Sequence, residues 1–139
     1  MSAAIQFLNT LDYMEIGKKD GRTVYKLDTP LRFRLNDVDD EIPAGFETDL
    51  ASVPRLPIVF LIWGDRAHRE AVFHDWGYRK DCPLGLSKED ADWYFREAMI
   101  GRGNPWYIYH PMYLAVRFAG TSSYHRMNVM DHFELDEKY

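Results

Sequence analysis

Apolar and polar residues alternate in the first third of the chain, which is the pattern of half-buried β-strands. The alternation is clearest in Leu31–Leu35, where two arginines separate three apolar side chains. Residues 23–27 are rich in residue types that favour strands, and they follow the turn signal Asp20-Gly21. These signals predict antiparallel strands joined by tight turns.

The next segment is acidic and then contains a proline. We expect residues 36–41 to form an acidic turn. Residues 42–46 are predicted to be a short strand or extended segment at a sheet edge, because Pro43 cannot donate a backbone hydrogen bond to a neighbouring strand. The pattern therefore predicts a small N-terminal antiparallel β unit over residues 1–47.

The hydrophobic spacing changes to a helical period in the middle of the chain. Asp65 is a suitable N-cap for a helix over residues 66–80. A buried stripe is expected on that helix, and it consists of Ala67, Ala71, His74 and Tyr78.

Two further helices are predicted after a break at residues 83–85. Ser87 followed by Asp90 has the spacing of a helix cap. The helix that begins there is expected to turn five residues inward, namely Ala91, Asp92, Phe95, Ala98 and Met99. A third helix is predicted over residues 111–118, whereas the polar tail has no clear period.

Length and composition favour one compact domain. The chain has 139 residues, of which 46% are hydrophobic and 15% aromatic, so it is long enough to bury a real core. We expect a single α+β domain with three parts: the β-rich part, a helical part over residues 48–120 and a tail over residues 121–139. In this arrangement the small antiparallel β unit packs on a helix pair plus a third helix.

Charge and hydropathy exclude some classes of partner. The formal net charge is -5, which leaves no large basic field for nucleic acid. No apolar run reaches the roughly 18 residues of a membrane helix. Residues 1–10 lack the features of a signal peptide. We therefore expect neither nucleic acid as a partner nor a transmembrane segment.

The aromatic residues of the helical part allow two interpretations. They are Trp93, Tyr94, Trp106, Tyr107 and Tyr109. These side chains can form a belt at a lipid interface. Core packing is the commoner role of such residues, and it is the prediction here.

One pair of residues in the predicted helices has the chemistry of a general base. Asp92 shares its helix face with Phe95 and Met99, and a buried carboxylate needs a partner. His74 on the preceding helix is the natural candidate. A carboxylate that fixes the imidazole tautomer leaves the other ring nitrogen to take a proton from water.

A second pair of carboxylates suggests a cation site. Asp75 lies about 100° around the helix from His74 and can face the irregular loop that carries Asp49. Carboxylates and backbone carbonyls are suitable ligands for Ca²⁺. The sequence thus offers Ca²⁺ as a candidate cofactor beside a candidate base.

These motifs resemble the small prokaryotic and fungal phospholipases A2. The resemblance covers residues 48–120 and rests on three segments: Thr48-Asp49-Leu50, His74-Asp75-Trp76-Gly77-Tyr78-Arg79 and Asp92-Trp93-Tyr94-Phe95. It implies a phospholipase A2-like helix pair. Alanines stand at positions 51 and 71, where that family has cysteines, so packing alone must hold the loop and the helix together.

The resemblance also implies roles for individual residues. His74 would be the general base, Asp92 its orienting partner and Tyr78 a support for the two. Asp49, the Leu50 carbonyl and Asp75 would bind Ca²⁺.

A closer resemblance is to an uncharacterised family that is common in phages and prophages. Its motifs here are Pro-Ala-Gly-Phe-x-Thr-Asp-x-Ala-Ser-x-Pro over residues 43–54 and His-Asp-Trp-x-Tyr over residues 74–78. A further motif, Ala-Asp-x-x-Phe-x-x-Ala-Met, covers residues 91–99. This likeness implies a phage-encoded protein in the host cytoplasm or the virion.

Three functions are consistent with these observations. The first is a calcium-dependent hydrolase that acts on a lipid or another amphiphilic ester. The second is a catalytically silent structural or assembly component of a phage particle, in the tail or connector region, with other phage structural proteins as partners. In that case His74 and Asp92 would lock two helices together. A cell-wall peptidase or amidase is a weaker alternative, because no His-rich zinc motif is present.

Overall fold

The computed structural model describes residues 4–50, 68–119 and 124–139. Several sequence predictions concern residues outside these ranges: the Ala51–Pro54 half of the loop motif, the Asp65 cap and the first two residues of the first predicted helix. Within the described ranges, antiparallel strands and three helices make up an α+β fold, as predicted. No described helix has the length and apolar character that a membrane span requires.

The strands of the described chain form two antiparallel sheets. One sheet has the order β1-β4-β5 and consists of β1 (Ile5–Phe7), β4 (Leu31–Leu35) and β5 (Val38–Ile42). The other has the order β6-β3-β2-β7 and consists of β2 (Tyr13–Lys19), β3 (Arg22–Leu27), β6 (Glu47–Thr48) and β7 (Glu137–Lys138). The predicted strands over residues 23–27 and 31–35 are confirmed.

The predicted acidic turn over residues 36–41 is wrong. Only Asn36 and Asp37 turn, and both have positive φ angles, of 49° and 67°. Residues 38–42 instead form β5, an edge strand in which every residue except Ile42 is exposed. An edge strand with one solvated side does not need apolar alternation, and its charged side chains discourage pairing with other chains. The strand therefore has no hydrophobic period that the sequence could reveal.

Three helices follow in the described part of the chain, with bounds that differ from the predicted ones. They are α1 (His68–Gly77), α2 (Lys88–Gly101) and α3 (Trp106–Ala119). The first ends three residues early because the C-terminal tail binds the backbone beyond it: the His125 N–H donates to the Tyr78 carbonyl at 2.9 Å, and the Lys80 N–H donates to the Met127 carbonyl at 2.8 Å.

The second and third helices differ in how well the sequence marks them. The Ser87 cap of α2 is confirmed, since its side chain accepts a hydrogen bond from the Asp90 N–H. The five predicted inward residues of α2 are all buried. In contrast, α3 begins five residues before Pro111, which was expected to start it. The Pro105 carbonyl accepts hydrogen bonds from the N–H groups of Ile108 and Tyr109, so the first turn forms ahead of the proline.

Two buried clusters join the described strands and helices. The first joins the β unit to α1 and includes Phe33, Phe73 and Trp76, whose rings contact one another. The second lies among the three helices and consists of Ala71, Phe95, Met99, Ile108, Met112 and Val116. Because the two clusters lie on different sides of α1, nearly all of that helix is buried, His74 included.

The core interpretation is wrong for three of the aromatic residues of the helical part. Trp93, Trp106 and Tyr107 are exposed, with relative accessibilities of 45%, 69% and 59%. Tyr94 and Tyr109 are partly buried and pack against the two clusters. Several large aromatic rings of α2 and α3 therefore face outward.

The C-terminal tail is bound to the β unit. The buried Glu47 carboxylate contacts His132 Nδ1 at 2.5 Å and accepts the Phe133 N–H at 3.0 Å. Further along, the Asp136 carboxylate accepts the Asp20 N–H, and β7 pairs with β2. The tail thus extends the second sheet by one strand.

We expect Glu47→Ala to loosen the tail. Loss of the carboxylate leaves the Phe133 N–H without its acceptor, and an unmade buried hydrogen bond costs about 1–3 kcal/mol. Backbone deuterium exchange at residues 132–139 should rise in the variant, while exchange in α2 stays unchanged. Glu41→Ala, at an exposed position in β5, is the matched control. Equal exchange in the two variants would show that Glu47 does not hold the tail.

Candidate active site

His74 and Asp92 meet between α1 and α2. Each lies on the buried face of its helix, His74 in α1 and Asp92 in α2. The distance between His74 Nε2 and Asp92 Oδ1 is 2.6 Å, and neither side chain has exposed surface. The structure therefore brings together the two residues that the sequence predicts as a pair.

Tyr78 joins this pair through the same carboxylate oxygen. Its hydroxyl donates to Asp92 Oδ1 at 2.5 Å, and its ring centroid lies 4.2 Å from that of His74. Burial, together with the hydrogen bond to Asp92, raises the pKa of Tyr78 far above its usual value. The phenol is thus a neutral donor that holds the carboxylate in place.

We expect Tyr78→Phe to reduce the loss of stability at alkaline pH. The pKa of Tyr78 is higher in the folded than in the unfolded chain, so its contribution is complete below about pH 10 and declines as the pH rises beyond that value. The slope of Tm against pH between about 9.5 and 11 should be shallower in the variant. Tyr113→Phe, which removes a hydroxyl from a partly buried tyrosine of α3, is the control. Equal slopes for Tyr78→Phe and wild type would contradict the prediction.

Two cations bind the other oxygen of the carboxylate. Lys88 Nζ donates to Asp92 Oδ2 at 2.8 Å, and Arg117 NH1 does so at 3.3 Å. Lys88 also donates to the carbonyls of Val116 and Arg117, so it ties the end of α3 to α2. Neither cation was predicted from the sequence. The only signal for Lys88 was its spacing of four residues before Asp92 on one helix, which is typical of an ion pair.

These contacts determine the charge and the tautomer. Burial raises the pKa of Asp92, but the hydrogen bonds from His74, Lys88 and Tyr78 outweigh burial and hold the pKa below its usual value. An ionised carboxylate only accepts hydrogen bonds. His74 Nε2 must therefore carry the proton that faces Asp92, and in the neutral ring Nδ1 carries the lone pair.

Asp75 faces a different neighbour, as predicted from its position on the helix. Its Oδ2 accepts hydrogen bonds from the Thr48 hydroxyl and, at 3.1 Å, from Arg79 NH2. The Arg79 guanidinium also donates to the carbonyls of Glu47 and Asn128. A cation of the protein itself thus already pairs with this carboxylate, which is nearly buried.

Asp49 and Asp75 line the same cavity, which has a volume of about 300 Å³. The described residues around it also include Asp20 and three cations, namely Lys19, Arg79 and Arg126. Acidic and basic side chains are therefore equal in number there. A cavity with equal numbers of acidic and basic side chains suits a divalent cation less well than a cavity lined by carboxylates alone.

The third predicted ligand, Leu50, follows Asp49 directly but is not among the described residues that line this cavity. Its backbone has a φ of 58°, and its N–H donates to Thr48 Oγ1 at 2.9 Å. Among the described residues, no group of three or more His, Cys, Asp or Glu side chains is placed to hold a metal ion. The calcium site therefore stays a prediction.

Comparison with known proteins gives one family. The sequence model of the family described as "Protein of unknown function (DUF1353)" matches residues 25–116. That range includes every predicted site residue and Lys88, and it ends before Arg117 and the tail. No curated protein and no solved structure matches the chain.

Proposed function

The chain belongs to this DUF1353 family of unknown function, and from the geometry of the buried His74–Asp92 pair we propose that it is an ester hydrolase that acts on a lipid or another amphiphile. The observation that carries the proposal is the 2.6 Å contact between His74 Nε2 and Asp92 Oδ1, with Tyr78 on the same oxygen. A histidine whose tautomer is fixed by a carboxylate is a usual general base in hydrolysis.

The proposed reaction uses His74 as both base and acid. Water must first reach the completely buried imidazole, and Nδ1 then takes a proton from it as the water oxygen adds to the ester carbonyl carbon. The tetrahedral intermediate then loses its alcohol, and the imidazolium returns the proton to that leaving oxygen. Asp92 stabilises the imidazolium between these steps, while Tyr78, Lys88 and Arg117 keep the carboxylate ionised and fixed.

Calcium is a secondary part of the proposal. Asp49, Asp75 and the Leu50 carbonyl would hold the ion, and a bound Ca²⁺ would polarise the ester carbonyl. The shared cavity of Asp49 and Asp75 supports this assignment, whereas the Arg79–Asp75 ion pair competes with it. Calcium titration by calorimetry tests the point directly, since loss of the binding heat in Asp49→Asn would identify the site.

An amphiphilic substrate is favoured by the outward-facing aromatic residues. Trp93, Trp106, Tyr107 and Phe118 are exposed on α2 and α3, and Phe118 has a relative accessibility of 82%. Aromatic side chains of this kind suit a water–lipid boundary. The sequence motifs further support a phage-encoded protein that works in the host cytoplasm or the virion.

The decisive experiment is a pH-stat measurement of acid release from mixed phospholipid–detergent micelles. Wild-type protein should release fatty acid, and release should increase with added Ca²⁺. The His74→Gln variant should fold but release fatty acid about 10²–10⁴ times more slowly. If the wild type releases no fatty acid from esters of several chain lengths, the hydrolase proposal is wrong.

A second candidate function is favoured by one specific observation. Both His74 and Asp92 are completely buried, and Asp92 is held by four donors, three of which lie on three different helices. Such a network can lock helices together. It therefore suits a catalytically silent structural or assembly component of a phage particle. Finding the protein at fixed stoichiometry in purified particles, with no ester hydrolysis, would favour this function.

A further inference from the structure

A separate cavity of about 370 Å³ lies at the opposite end of the α1–α2 pair from Tyr78. Among the described residues it is lined by β1, by the first turn of α1 and by the last turn of α2. The lining residues used below are Ile5, Phe7, Arg69, Glu70, Ala98 and Arg102.

Glu70 is the buried charge of this cavity. Only 1% of its surface is accessible, and its Oε2 accepts a hydrogen bond from Arg102 NH1 at 3.0 Å. Burial raises the pKa of Glu70 even though Arg102 and Arg69 oppose the shift. This carboxylate is therefore poorly solvated, and Arg102 is needed to compensate its charge.

The two arginines supply more hydrogen-bond donors than the protein uses. A guanidinium has five N–H donors. In the described part of the chain, the Arg69 side chain makes one hydrogen bond, from NH1 to the Asn9 carbonyl at 3.1 Å, and Arg102 makes only its bond to Glu70. With one carboxylate against two guanidiniums, the described lining of the cavity has a net positive charge.

The rest of the wall is apolar. Ile5 is buried, Phe7 is partly buried under the Arg69 guanidinium, and Ala98 is buried in α2. Binding sites for small molecules commonly combine such apolar walls with a few charged groups that orient the ligand. Guanidinium groups are the preferred partners of carboxylates and phosphates, because they donate in a planar fork.

We propose that this cavity binds a small organic anion whose carboxylate or phosphate is held by Arg69 and Arg102 and whose short apolar body lies against Ile5 and Phe7. The site is distinct from the His74–Asp92 pair and does not depend on the proposed hydrolase activity. Glu70 competes with the ligand for Arg102.

Calorimetric titration of the full chain with hexyl phosphate, hexanoate and inorganic phosphate tests this site. Hexyl phosphate should bind at least several-fold more tightly than inorganic phosphate if the apolar wall contributes. Arg69→Gln should weaken hexyl phosphate binding about tenfold or more, since it removes a charge-assisted hydrogen bond. Glu70→Gln should strengthen binding because it removes the competing charge. Arg32→Gln, at an exposed position in β4, is the control with the same loss of charge.

Chemical-shift mapping on the wild type keeps the proposal testable without any variant. Added hexyl phosphate should shift the backbone signals of residues 5–7, 69–70 and 101–102. The proposal is overturned if no probe binds at millimolar concentration, if Arg69→Gln binds like wild type, or if Glu70→Gln weakens binding. Shifts confined to other residues would overturn it as well.

Discussion

Replacing Asp92 with alanine is expected to lower the free energy of unfolding by about 3–5 kcal/mol, which corresponds to a fall in Tm of roughly 10–15 °C. The carboxylate accepts hydrogen bonds from His74, Tyr78, Lys88 and Arg117. Removal leaves the buried donors of His74 and Tyr78 without their acceptor, and it takes the buried anion away from the partly exposed Lys88 and Arg117. Chemical and thermal unfolding measure the effect. Asp90→Ala, at an exposed position on the same helix, should lose less than about 1 kcal/mol.

The pH dependence provides an independent test of the same contacts. Burial raises the pKa of Asp92, but the hydrogen bonds from His74 and its other donors hold it below the usual value. Its contribution to stability is therefore complete above about pH 4 and is lost as the pH falls through the lower folded-state pKa. The Tm of the wild type should drop below about pH 4, and that of Asp92→Ala should drop less. Parallel curves would contradict the role given to Asp92.

The second large effect concerns activity. Replacing His74 with glutamine is expected to reduce ester hydrolysis by a factor of about 10²–10⁴, because general-base catalysis contributes that much. Glutamine can still donate to Asp92, so the variant keeps part of the network and should fold. The measurement is fatty acid release at saturating micelle concentration, with circular dichroism to confirm the fold.

The control for this variant is His110→Gln, which alters an exposed histidine on α3. Its activity should equal that of the wild type. If His74→Gln releases fatty acid as fast as the wild type while the fold is intact, His74 is not the base. Lower stability of His74→Gln without any wild-type activity would instead support the structural lock.

The pairing of His74 with Asp92 could be predicted because both residues interrupt apolar stripes. A charged group at helical spacing among Phe95, Ala98 and Met99 must be buried, and a buried carboxylate needs a donor. His74 was the histidine on the inward face of the preceding helix, so it was the predicted partner of Asp92. The Ser87 cap was predictable for a similar reason, since local hydrogen bonds depend only on local sequence.

The remaining contacts of the site could not be predicted in this way. Arg117 reaches Asp92 from α3, and Arg79 reaches two carbonyls that are distant in sequence, those of Glu47 and Asn128. Long flexible cations carry no periodic signal, because they extend from partly exposed positions to charges on other elements. The pairing of Asp75 with Arg79 was missed although the two are four residues apart, since the predicted Ca²⁺ site assigned that carboxylate to a metal.

By itself the sequence determined the α+β class, the inward face of α2 and the residues that meet between α1 and α2, because each follows from periodicity and local hydrogen bonding. The course of residues 124–139, the edge strand β5 and the cations around Asp92 and Asp75 were decided only by the tertiary structure. These features depend on contacts between residues far apart in the chain or on exposed positions, where burial imposes no pattern on the sequence. The same holds for the cavity beside Glu70, which exists only once three separate elements are packed together.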